Sequence, residues 1–106
     1  MSLKKVSEIT NQDLIDYIII DDADEKDKNT LNGYLEIAKN FIKSYTGIDD
    51  LDKHPDFVIV VLVLCQDMWD NRTLYPDKDN LNKVVQIILG MYSENLLPKP
   101  KEAENE

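Results

Sequence analysis

A chain of 106 residues with 42% apolar content is long enough to close one hydrophobic core without metal or disulfide support. Its lone cysteine, Cys65, excludes an internal disulfide framework and suits a reducing compartment. With 21 acidic residues against 12 basic ones and a net charge of -9, the surface repels phosphate backbones, which excludes the ordinary electrostatic grip on nucleic acid.

The opening segment Met1–Glu8 carries no long apolar stretch of the kind a secretion signal needs, and the longest apolar run further on is too short to cross a bilayer as a helix. The expectation is a soluble cytoplasmic protein without a membrane partner. The first helix is predicted to start after Thr10, whose hydroxyl caps it, with Asp13 as the acidic member of a capping box. It runs to about Ile18 and gathers Leu14, Ile15 and Ile18 on one face, with Ile9 as a staple beneath.

Asp21 to Lys28 is a charged connector, too polar to bury. A second helix follows from about Asp24 to Tyr45, because Leu31, Tyr34, Leu35, Ala38, Phe41, Ile42 and Tyr45 recur at three- and four-residue spacing. Thr46-Gly47 supplies a left-handed stop. Gly33, in the middle of this helix, suggests a close packing contact.

The run Phe57–Leu64 is apolar without interruption. Its β-branched residues favour a strand taken alone, but the apolar pattern continues through Cys65, Met68 and Trp69, too long for a typical strand. Pro55, preceded by His54, suits the first position of a helix. A third helix is therefore predicted from Pro55 to about Leu74. Being apolar all round, it belongs at the buried centre, and Cys65 within it reads as inert packing.

Tyr75-Pro76-Asp77-Lys78-Asp79 is a turn. The fourth helix is predicted from about Asn80 to Tyr92, with Leu81, Val84, Val85, Ile88 and Met91 or Tyr92 facing inward, and Leu96 and Leu97 extending its packing. From Pro98 to Glu106 the chain has two prolines, many charges and little to bury, and is expected to be a disordered acidic tail. The fold class is thus all-α: a compact bundle of about four helices over residues 1–97, with a long amphipathic second helix and a central apolar third.

Catalytic chemistry finds little support in this pattern. His54, the sole histidine, precedes a proline and reads as a loop or capping residue, and Cys65 lies in the apolar run away from any base. The clusters Asp21–Asp27 and Asp49–Asp52 lack the glycine and terminal glutamate of a calcium loop. The glycines are scattered, so no phosphate loop forms. The reading is a non-enzyme with no catalytic residues, no metal site and no cofactor.

One constellation stands apart. Trp69, Arg72 and Tyr75 are spaced by three, which on a continuing helix puts them on one face, and aromatic and arginine side chains dominate protein interfaces. They form the candidate interface. The plainer alternative keeps Trp69 in the core, pairs Arg72 with an aspartate and uses Tyr75 to cover a helix end.

Two segments bring a family into view. The second helix ends with Ala38, Ile42, Tyr45, Thr46 and Gly47, and the third ends with Trp69, Asn71 and Arg72. In this order and spacing, over roughly residues 6 to 92, the chain resembles the small head-tail connector proteins of tailed bacteriophages and prophages, also called head completion or DNA packaging adaptor proteins. The resemblance implies a structural virion protein made in the host cytoplasm and placed at the head-tail junction.

Such subunits form a ring, commonly of twelve copies, beneath the portal protein. The ring extends a channel through which DNA passes without specific binding, and it offers a platform to the next tail-joining protein. Under this resemblance the second helix and the Trp69, Arg72, Tyr75 strip supply contacts between copies or with the portal. The acidic tail matches no motif of the family. A different reading of the same charge is a small acidic regulator, such as a DNA-mimic inhibitor that binds a basic protein surface.

Overall fold

The computed structural model describes residues 5–73, 76 and 81–92. Among the described residues four α-helices form the body: α1 (Asn11–Ile18), α2 (Glu25–Thr46), α3 (Asp56–Asn71) and α4 (Lys83–Met91). Short 3₁₀ turns at Val6–Glu8 and Leu51–Lys53 complete it, and no strand occurs among the described residues. The all-α bundle expected from the sequence is the observed fold.

Each start has a local cause. At α1 the capping box forms as the sequence suggests: the Asp13 N–H donates to Thr10 Oγ1 at 3.3 Å, and the Thr10 N–H donates to Asp13 Oδ2 at 2.9 Å. Together they satisfy two backbone donors, one of them at the open helix end. Helix α2 opens in the same way, Asp24 accepting from the Asp27 N–H at 2.8 Å and Asp27 accepting in return at 3.3 Å. At α4 it is Asn82 that caps, accepting from the Val84 N–H at 2.8 Å. Helix α4 consequently begins at Lys83, later than the sequence pattern suggests.

Helix α3 is the spine. It packs against α1, α2 and α4, and Phe57, Val58, Val60, Val61, Leu62, Val63, Leu64, Cys65 and Met68 are all buried. Only Ile59 of the Phe57–Leu64 run shows substantial surface, at 49% exposure. Helix α2 contributes Leu31, Tyr34, Leu35, Ala38 and Ile42 to the same core, with Phe41 and Tyr45 half-buried against it, as its periodicity predicts. Gly33 is exposed and a Cβ there would meet nothing within 4 Å, so the close contact suggested by the sequence is absent.

The spine ends earlier than its hydrophobic pattern implies. Arg72 adopts a left-handed conformation, φ 55°, and closes α3 at Asn71 instead of near Leu74, with the Thr73 N–H donating to Met68 O at 3.2 Å. Three helices stop through a left-handed residue: α2 at Gly47 (φ 73°), α1 at Ile19 (φ 62°) and α3 at Arg72 (φ 55°). Glycine adopts that geometry freely, whereas a residue with a Cβ resists it by about 1–2 kcal/mol.

Helix α4 also departs from expectation. Val85, Ile88 and Leu89 are the residues it buries, while Val84, predicted to face inward, and Met91, the alternative to Tyr92 for the inward position, are exposed. The segment from Val84 to Met91 is apolar nearly all round, so its periodicity does not choose a face, and contact with α3 and α2 makes the choice. Tyr92, the other candidate for the inward position, packs on the core. Asn80, Tyr75 and the tail from Pro98 lie outside the described residues.

The 3₁₀ turns bury Val6 and Leu51 and are tied by Ser7, whose N–H and hydroxyl donate to the two carboxylate oxygens of Asp52 at 2.9 and 2.7 Å. Those bonds, the hydroxyl one foremost, hold the Asp52 carboxyl below its ordinary pKa of 3.8. A lowered folded-state pKa adds stability that is present above the unfolded value and fades as the pH falls through the folded one. Ser7→Ala is expected to lower the thermal midpoint at pH 7 and to have a much smaller effect at pH 2. Calorimetry at the two pH values checks this, and an equal loss at both would exclude a charge-assisted tie.

Candidate functional site

The C-terminal end of α3 holds the residues singled out as an interface. Met68 is fully buried and anchors this turn, Trp69 lies one residue on and packs on the edge of the core, and Asp70, Asn71 and Arg72 are exposed. Because α3 stops at Asn71, Arg72 does not continue the helical face as the three-residue spacing assumes. The left-handed turn instead folds its side chain back, and the guanidinium carbon lies 4.2 Å from the centroid of the Trp69 ring. This is a cation–π contact between the chain's only arginine and only tryptophan.

The structure therefore brings Trp69 and Arg72 together, by stacking and not by shared helical register. Tyr75, the third member, lies outside the described residues. Two bonds stiffen the platform. The Asn71 side-chain amide donates to Asp67 O at 2.9 Å, and the Arg72 N–H donates to Met68 O. Asp67 is half-buried and its pKa is raised, first by desolvation and then by the Asp70 carboxylate. The tip of α3 thus presents the stacked Trp69–Arg72 pair in a segment that also carries the Asp67 and Asp70 carboxylates.

A second exposed feature is apolar. Val84, Ile87 and Met91, at 47%, 61% and 57% exposure, share one side of α4, since positions i, i+3 and i+7 lie within a narrow arc. The adjoining side of the same helix, Val85, Ile88 and Leu89, is packed in the core. No charged residue interrupts α4 after Lys83. The outward face of α2, where Asn32, Glu36, Asn40, Lys43 and Ser44 are exposed, is polar by comparison, so the exposed apolar stripe lies on α4. Its signal is the hydrophobicity of α4 on every side, more than one flank against α3 can cover.

His54 takes a packing position. It closes the 3₁₀ turn Leu51–Lys53, and its ring lies 4.6 Å from that of Tyr92 and 5.3 Å from that of Phe57, which are 4.9 Å apart. The Tyr92 hydroxyl donates to Asp56 Oδ2 at 3.2 Å. This aromatic cluster fastens the end of α4 to the start of α3. The Tyr92 pKa is raised by desolvation and by that bond to the carboxylate.

Between the 3₁₀ turns and the second half of α2 runs an open groove of about 290 Å³, with Lys39 and Lys43 on one side and Asp49, Asp50 and Asp52 on the other. Lys39 is paired with Glu36 at 3.6 Å, and the groove's charges are mixed in sign, which gives it no clear preference for an anion or a cation. Among the described residues no group of three or more His, Cys, Asp or Glu side chains is placed to hold a metal ion, and no helix is long and apolar enough to cross a membrane.

Comparison with models of protein families, with curated proteins and with solved structures finds no match to this chain. What the residues themselves establish is an inert interior: burial pushes the Cys65 thiol up to about 12, far from the thiolate that reacts. At pH 8 the folded protein is expected to leave a thiol-specific disulfide reagent unconsumed over hours and to react within minutes in 6 M guanidinium. Absorbance of the released thiolate reports both, and prompt reaction of the folded protein would contradict the packing around α3.

Proposed function

We propose that the protein is a structural subunit of a phage or prophage head-tail connector, which assembles into a ring under the portal and extends the DNA channel. The observation that carries this reading is the exposed apolar stripe of α4, Val84, Ile87 and Met91, beside a face already packed in the core. An apolar stripe of this kind suits permanent contact with another subunit better than contact with water. A ring needs two different complementary faces on each copy. The stacked Trp69–Arg72 tip is the second, and residues of the quoted resemblance build it.

The charge of -9 agrees with such a role, because a channel lined by a net acidic protein lets DNA slide without gripping it. The partners are further copies of the chain, the portal protein and a tail-joining protein. Replacing Arg72 by glutamate reverses the charge of the tip while leaving the α3 core untouched. With a candidate portal present, native mass spectrometry is expected to find rings for the natural chain and unassembled subunits for Arg72→Glu, at equal helical content by circular dichroism. Unchanged rings in the variant would reject the tip as an interface. Absence of ring stacking with portals in electron micrographs of the natural protein would reject the connector reading itself.

A further inference from the structure

The end of α1 carries a side chain that the monomer does not use. Ile19 stands in the left-handed position that glycine occupies at the end of α2, with φ 62° and ψ 63°. The turn is otherwise well formed. The Ile19 and Ile20 N–H groups both donate to Ile15 O, the latter at 3.0 Å, and Ile15, Ile18 and Ile20 pack on the core. A β-branched residue is the least suited to this backbone region, and glycine would fit with less strain.

The Ile19 side chain offsets none of that strain within the chain, for it is 80% exposed, the most exposed of the large apolar residues described. Arg72, in the same backbone region, differs in this respect because it stacks on Trp69. An observed outlier whose side chain does nothing for its own fold points to a use outside it.

The surroundings define what that use requires. Tyr17, two residues earlier, is also exposed, and so are the carboxylates of Asp16, Asp21, Asp22 and Asp24. From Val6 to Glu25 the sequence contains no lysine or arginine. An exposed isoleucine flanked along the chain by exposed acidic residues is complementary to an apolar recess edged with basic side chains, and it repels a second copy that presents the same acidic loop.

We propose that Ile19 is a docking tooth, which inserts into an apolar recess rimmed by lysine or arginine on a different protein. This surface is separate from the α4 face and the Trp69–Arg72 tip, and it stands whether or not the ring reading holds. The left-handed turn serves it by lifting the side chain clear of the helix, while Ile18 and Ile20 on either side hold the loop to the core.

Substitution by glycine separates the two roles of the residue. Ile19→Gly is expected to raise the thermal midpoint by about 4 °C, because strain is released and nothing buried is lost. Ile19→Asn keeps a residue tolerant of the left-handed region and controls for loop flexibility. The binding probe is a fluorescent amphipathic helical peptide of leucine and lysine, compared with one in which every leucine is serine.

By anisotropy at low salt, the natural chain is expected to bind the leucine-containing peptide about tenfold more tightly than either variant does, and to lose that affinity as salt is raised. Equal affinity of the natural chain and both variants overturns the proposal. So does a loss confined to Ile87→Ser, which would move the contact to α4. Self-association in sedimentation velocity that Ile19→Gly abolishes would identify a second copy as the occupant and would also overturn it.

Discussion

Hydrophobic surface around the whole circumference of α3 leaves that helix no side to offer to water, and the remaining elements are arranged to cover it. From Phe57 to Cys65 every side chain but Ile59 is buried, and fully burying aliphatic or aromatic side chains contributes roughly 1.5–3 kcal/mol each relative to exposure. Helix α2 covers one flank along its length, α1 and α4 cover others, and the 3₁₀ turns press Val6 and Leu51 into what is left. The polar groups are pushed outward by the same requirement. Thr46, the sole buried polar residue described, is tolerated because its hydroxyl donates to Ile42 O at 2.7 Å and accepts from the Ile48 N–H at 3.2 Å.

Covering α3 also decides what is left exposed. Helix α4 is apolar beyond the side it packs on α3 and α2, so Val84, Ile87 and Met91 remain on the surface. The helix ends matter equally, since a helix that stops on a left-handed residue turns the next side chains abruptly. At Arg72 this places a guanidinium over Trp69, and at Ile19 it leaves an isoleucine in solvent. The surface features open to partners thus arise where the covering elements stop or run out of neighbours.

Much of this is legible in the sequence because the signals are local and chemically direct. The Thr10–Asp13 box, the glycine that ends α2 and the three- and four-residue spacing of Leu31 to Tyr45 each have one physical reading. An apolar run too long for a strand identifies α3. The face of α4 is not legible, because a segment apolar at Val84, Val85, Ile87, Ile88, Leu89 and Met91 satisfies helical periodicity in more than one orientation. Nor is the early end of α3 at Arg72, which lacks the glycine that announces such a turn; α1 ends near Ile18 as its pattern predicts, but its left-handed closure on Ile19 is not announced either. Trp69 and Arg72 were recognisable by residue type, but their stacking depends on a backbone reversal that spacing does not encode.

The account rests on α3 as the last element to come apart, which hydrogen exchange resolved by residue tests directly. Amides of Val60 to Leu64 are expected to exchange only through global unfolding, more slowly than any amide of α1 or α4, and to lose protection with denaturant at the slope of complete unfolding. Exchange of those amides ahead of the flanking helices, through a local opening insensitive to denaturant, would contradict a bundle organised around this helix.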